Sequence, residues 1–120
     1  MKSKLDRGAA AVEFAIVAML LVTLLMGIME FGYAFFVQGN IAGAAREAAR
    51  AYAIDPAGTD VSDVAADYGM PSGATVALEP PAGCSPGGPV TVTITYTYSG
   101  LTGFFGGLDL TGEGTMRCGG

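Results

Sequence analysis

Two acids and two cysteines carry the chemistry that the rest of this chain must accommodate. Glu13 and Glu30 interrupt its most apolar region, and Cys84 and Cys118 are the only cysteines. An acid inside a membrane-spanning helix costs on the order of 2.5–3.5 kcal/mol by insertion scales, so it is expected to be functional, paired or at an interface. Two cysteines outside the cytoplasm can oxidise to a disulfide. Catalysis lacks parts: there is no His for a triad, no Gly-rich phosphate loop between strand and helix, and the acids are scattered. With no His beside two distant cysteines a zinc site is not expected either, and no cofactor is implied. The 11 acidic against 6 basic residues leave no basic stripe for phosphates, so no nucleic-acid partner is expected.

The element that must position the two acids is the stretch from Gly8 to Ile54. No proline occurs between Ala9 and Ile54, and Asp55-Pro56 is the first firm helix stop. At about 1.5 Å per residue an unbroken helix here is roughly 70 Å long. A hydrocarbon core is near 30 Å. The first half can therefore span a lipid bilayer while the second half stands outside it as a stalk. Glu13 and Glu30 lie roughly 25 Å apart along such an axis and bracket an apolar slab. Glu30 then marks the outer interface. Glu13 is either a first-turn residue favoured by the helix dipole or a functional acid. Gly27, Gly32, Gly39 and Gly43 each cost about 1 kcal/mol relative to Ala, so a local kink or unwound turn is an option.

Lys2, Lys4 and Arg7 ahead of the apolar run hold this end in the cytoplasm by the positive-inside bias. A cleavable secretory signal is the first rival. The apolar run that opens at Ala9 and continues through Met26 is longer than the about 7–15 residues of a signal's apolar centre, it contains Glu13, and no convincing cleavage site follows Met26.

Gly8, four small or apolar residues, Glu13-Phe14 and a long apolar run resemble the prepilin-processing site of Flp-type (tight adherence, type IVc) pilins. The continuation through Glu30-Phe31-Gly32 to Ala44-Ala45-Arg46-Glu47-Ala48-Ala49-Arg50 resembles the TadE-like pseudopilins in particular. The resemblance covers about Arg7 to Tyr52. It implies that a membrane-embedded prepilin peptidase cuts after Gly8, leaving Ala9 as the new amino terminus and Glu13 as the fifth residue of the mature chain. The partners it implies are that peptidase, other pilins and pseudopilins of the system, and the membrane assembly platform. Gly39 and Gly43 form a small-xxx-small pair, which Ala42, Ala45 and Ala49 extend into a small-residue face. That face serves either packing between helices or cover for the chain's own small domain. With Glu13, Glu30, Gly32, Arg46 and Arg50, these glycines are the candidate assembly residues.

After Pro56, Val61, Val64, Ala65 and Tyr68 share one face of a short amphipathic helix capped by Thr59 or Asp60 and ended by Gly69 and Pro71. Ala74–Leu78 is a strand candidate. Residues 80–89, rich in Pro and Gly, read as a loop. Val90, Val92, Ile94, Tyr96 and Tyr98 alternate with threonines in the clearest strand, whose apolar side is expected against the long helix. Leu110–Met116 is a third strand candidate, and Phe104-Phe105 sit in a glycine-rich connection as a core lid or contact surface. So small a sheet needs staples. The outer half of the long helix is one, and a Cys84–Cys118 disulfide is the other.

The expected fold is thus α+β and pilin-like: a long N-terminal transmembrane and stalk helix, a short helix, and a small antiparallel sheet of about three strands. Residues 1–8 form a leader, 9–54 the helix and 55–120 an extracytoplasmic domain. The chain is expected to cross the cytoplasmic membrane once, N-terminus inside, and to act as a structural pseudopilin or minor pilin, in a surface pilus once incorporated. The alternatives are an unprocessed single-pass protein whose outer domain binds a partner, and a secreted adhesin freed by signal peptidase.

Overall fold

Lys4–Ile54 form a single helix, α1, in a computed structural model that describes residues 4–103 and 106–119. It runs unbroken through Gly27, Gly32, Gly39 and Gly43, so the kink admitted by those glycines is not formed. Leu24, Leu25, Met26, Met29, Ala34, Ala42, Ala44 and Ala45 along this stretch favour helix. In lipid a broken turn would also leave backbone groups unpaired at several kcal/mol each. The helix begins before Gly8, so the Gly8–Ala9 bond lies within helical backbone. At the other end Asp55 N–H still donates to Ala51 O (3.1 Å), and the Thr59 hydroxyl adds a second bond to the same carbonyl (3.2 Å).

Val61–Asp67 form α2. Asp60 is its cap, its Oδ1 accepting from Ser62 N–H at 2.9 Å and Asp63 N–H at 3.4 Å, and Gly69 closes the element at φ +96°. Val61, Val64 and Ala65 face the core, but Tyr68 does not. The helix stops at Asp67, and the non-helical backbone of Tyr68 (φ −102°, ψ 22°) turns its side chain outward.

Three strands follow, β1 (Thr75–Glu79), β2 (Pro89–Tyr98) and β3 (Leu108–Arg117), antiparallel in the order β1-β2-β3. Val92 lies opposite Leu78 and Gly114, and Ile94 opposite Val76 and Gly112. That register puts one apolar face on α1 and α2. The other face is a ladder of polar pairs: Thr91 with Thr115 (2.8 Å), the Thr93 hydroxyl donating to Glu113 (3.4 Å), and the Thr97 hydroxyl donating to Asp109 (3.0 Å).

The core sits between the outer half of α1 and this sheet. Ile41, Ala44, Ala45, Ala48 and Ala49 are buried against Val92, Ile94 and Tyr98, with Ala65 of α2 closing one side. Opposite the alanines stand glycines. A Cβ added to Gly112 would lie 2.7 Å from Ile41 Cγ2 and 2.8 Å from Ala42 N, and one added to Gly114 would lie 2.6 Å from Ala45 O and Arg46 N. Helix and strand therefore meet nearly backbone to backbone. A small domain buries little apolar area, and this close approach raises contact density without large side chains.

Candidate membrane and assembly surface

Helix α1 leaves its first half bare. It contains an 18-residue window of mean hydropathy 2.5, none of which is buried within the chain. Phe14, Ile16, Met19, Leu20 and Leu24 are all exposed. An apolar all-round helix is stable in lipid or among other apolar helices, not in water. This one helix is long and apolar enough to cross a membrane once.

Gly8, Ala9, Glu13 and Phe14, the residues expected at a processing site, all lie exposed on this bare segment, and Glu13 stands one turn beyond Ala9. Gly32, Gly39, Arg46 and Arg50 are exposed, and half-buried Gly43 has no neighbour within 4 Å of an added Cβ. At helical spacing these five fall on one stripe, on the side of α1 away from the sheet. Ala45 and Ala49 are not part of that free surface. They are fully buried under the chain's own sheet, because Gly112 and Gly114 draw β3 onto them. The small-residue face is thus divided: its alanines are used inside the molecule, while its glycines stay uncovered.

Glu30 is placed where sequence spacing could not put it. It is 2% exposed, beneath the loop that follows β2. Its carboxylate accepts from Leu101 N–H (3.0 and 3.1 Å to the two oxygens), from Thr102 N–H (3.2 Å) and from the Thr102 hydroxyl (3.3 Å). Gly100 adopts φ +78°, and a Cβ there would collide with Glu30 Oε1. The Tyr98 hydroxyl donates to Glu30 O at 3.3 Å, and the Tyr33 and Tyr98 rings lie 5.9 Å apart. Burial raises the Tyr98 phenol above its ordinary pKa of 10.0, and the nearby Glu30 charge raises it further. Glu30 therefore fastens the sheet end to the top of the apolar helix. The only local signal for this partner is the glycine at position 100. Phe104 and Phe105 lie outside the described residues.

The far end of the domain is fastened twice. Cys84 and Cys118 form a disulfide with Cα atoms 5.7 Å apart, tying the proline-rich loop to the residue after β3. Gly119 N–H donates to Ala53 O (3.2 Å), capping the last turn of α1, and Cys118 N–H donates to Gly88 O (2.8 Å). Around the disulfide Ala53 and Val90 make a second small core with Tyr52 and Leu78. Among the described residues no cluster of His, Cys, Asp and Glu could hold a metal ion.

A helix long and apolar enough to cross a membrane once, with a small α+β head clamped to its distal half, has a pilin-like fold and suggests a single-pass membrane protein. Residues 8–50 match the family model of TadE-like proteins, within the stretch of about Arg7 to Tyr52 over which the resemblance was drawn. The match suggests a pilus-associated membrane protein. No curated protein and no solved structure matches the chain.

Proposed function

We propose that the protein is a prepilin-like structural subunit, a pseudopilin or minor pilin, of a Flp-type pilus machine. The reading is supported above all by the match to TadE-like proteins over residues 8–50, on a helix whose first half is apolar and exposed and whose distal half alone carries a folded head. A prepilin peptidase cuts after Gly8 on the cytoplasmic face. Removing Lys2, Lys4, Arg7 and Asp6 takes the 6 basic and 11 acidic residues to 3 and 10 and strips the charges that hold this end in the cytoplasm. Because helical backbone runs through the cut, the peptidase unwinds about one turn around Gly8 to reach it.

The new Ala9 ammonium lies one turn before Glu13. Within one subunit the pair neutralises the helix start. Between subunits, Glu13 of an incoming chain meets the Ala9 ammonium of its neighbour, and in low dielectric that attraction sets axial register. The head faces the extracytoplasmic side. Other pilins, pseudopilins and the assembly platform engage the bare half-helix and the Gly32–Arg50 stripe. Intact-mass measurement of the membrane form, co-expressed with a cognate peptidase, tests the proposal. A chain beginning at Ala9 is expected. Retention of Met1 under those conditions would point instead to an unprocessed single-pass protein whose head binds a partner.

A further inference from the structure

A stalk implies a head held clear of the membrane, yet the base of this head is apolar. Just above Glu30 the helix carries Phe31, Tyr33, Phe35 and Phe36, all exposed, with Phe35 at 75% and Phe36 at 62%. At 100° per residue they do not share one face. They are spread over both flanks and the back of the helix, everywhere except the side covered by the sheet. A protein partner docks on one face, whereas a ring of this kind fits a medium that surrounds the helix. Tyr33 packs on Phe36 (6.2 Å between centroids) and on Tyr98 of β2, so the ring is rigidly joined to the head. From a different element Leu101 adds an exposed side chain (53%) at the level of Glu30.

We infer that the head is seated in the headgroup layer of the bilayer rather than raised above it, with Phe31, Tyr33, Phe35, Phe36 and Leu101 as its lipid-facing collar. The inference rests on the reading of α1 as membrane-spanning and adds where the head sits. Three observations carry it.

The first is continuity. The collar begins where the bare apolar segment ends, and no exposed charge separates them, because Glu30 is covered by the Gly100–Thr102 loop. The second is dimension. A slab of roughly 30 Å whose upper edge falls between Glu30 and Tyr33 has its lower edge between Ala10 and Glu13, at about 1.5 Å per residue. Glu13 then lies at the opposite boundary instead of inside the hydrocarbon. The ring from Tyr33 to Phe36 rises about 5 Å further, within a headgroup layer of roughly 5–8 Å. Aromatic side chains are favoured at that depth.

The third is the loop itself. Backbone N–H groups close to hydrocarbon need acceptors. Those of Leu101 and Thr102 have the Glu30 carboxylate, so the loop tip presents the Leu101 side chain outward with its nearest donors satisfied. One buried acid thus fastens the head and removes the polar cost of lowering it to the acyl boundary.

The chain contains no Trp, so single substitutions report depth directly. Full-length Leu101→Trp, Phe36→Trp, Leu21→Trp and Thr95→Trp variants are reconstituted in phosphatidylcholine–phosphatidylglycerol vesicles. Emission is compared with the same lipids brominated near the top of the acyl chains. The Leu101→Trp and Phe36→Trp reporters are expected to emit in the blue and lose at least half their intensity to bromine. The Thr95→Trp reporter, on the outer face of β2, keeps its intensity. If the collar reporters emit as in water while Leu21→Trp is quenched, the helix spans but the head stands clear, and the inference is overturned. Blue emission unquenched by bromine means that copies of the chain cover the collar, which also overturns it. Loss of quenching at Leu21→Trp as well would overturn the spanning reading itself.

Discussion

Gly114→Ala is the sharpest test of how head and helix are joined. The added methyl would sit 2.6 Å from Ala45 O and from Arg46 N and Cα, against an optimum near 3.5–4.0 Å for non-bonded atoms. Those neighbours are helix backbone, so no side-chain rotation relieves the overlap; β3 must move off α1 by about 1 Å. Overpacking of this kind costs about 1–3 kcal/mol. Opening the interface also weakens contacts at Ile41, Ala45 and Ala49, which pushes the cost to the upper end. Replacing a strand glycine returns about 0.5–1 kcal/mol through backbone entropy. The net expectation is a loss of about 2 kcal/mol, or a fall in Tm of roughly 8–16 °C for a domain of this size. Gly39→Ala is the matched control. It lies on the same helix with nothing within 4 Å of its added Cβ, and is expected to gain up to about 1 kcal/mol from helix propensity. Urea or thermal unfolding in mild detergent, followed by near-ultraviolet tyrosine dichroism, reads the head without the spanning segment. A Gly114→Ala protein within about 0.5 kcal/mol of the parent would refute the backbone-to-backbone packing. Equal losses at Gly39 and Gly114 would refute the contrast between covered and free glycines.

Removing the Cys84–Cys118 bridge by the double Ser substitution should cost about 3–4 kcal/mol in the chain-entropy account of a loop this long; native protein should show no labelled thiols until reduced. Glu13→Gln should still be cut after Gly8 and accumulate in the membrane, yet fail to co-purify with other pilins; normal co-purification of the cut protein would remove the charge-pair role. Tyr98 should make the head sensitive to alkali. Its folded pKa is raised above 10.0 by burial and by Glu30, so the protonated phenol is favoured in the folded state. Its stabilising contribution is complete below pH 10 and is lost as pH climbs through the folded value. Ultraviolet titration should show one late-ionising tyrosine that Tyr98→Phe abolishes, with a shallower alkaline loss of stability.

Much of this protein is local and was therefore legible in the chain itself. Absence of proline from Ala9 to Ile54, Pro56 beyond them, the Asp60 cap, Gly69, and the alternation from Val90 to Tyr98 each act within a turn or a few residues. Helix, short helix and principal strand follow from them at nearly their observed bounds. The apolar character of the first half-helix is equally local, and so was the resemblance that begins at Gly8. Tertiary structure decided what depends on residues far apart in sequence. Spacing puts Glu30 at the outer end of the apolar slab, but only the fold brings Leu101 and Thr102, 71 and 72 positions later, to cover it. Ala45 and Ala49 look as fit for a sister helix as for a sheet until Gly112 and Gly114 stand opposite them. Tyr68 matches the apolar period of α2 until the backbone leaves the helix one residue too soon. Periodicity assigns a side chain to a face. Only the packing of distant segments decides what covers that face, because burial and hydrogen bonding are satisfied across the whole chain rather than within any one element.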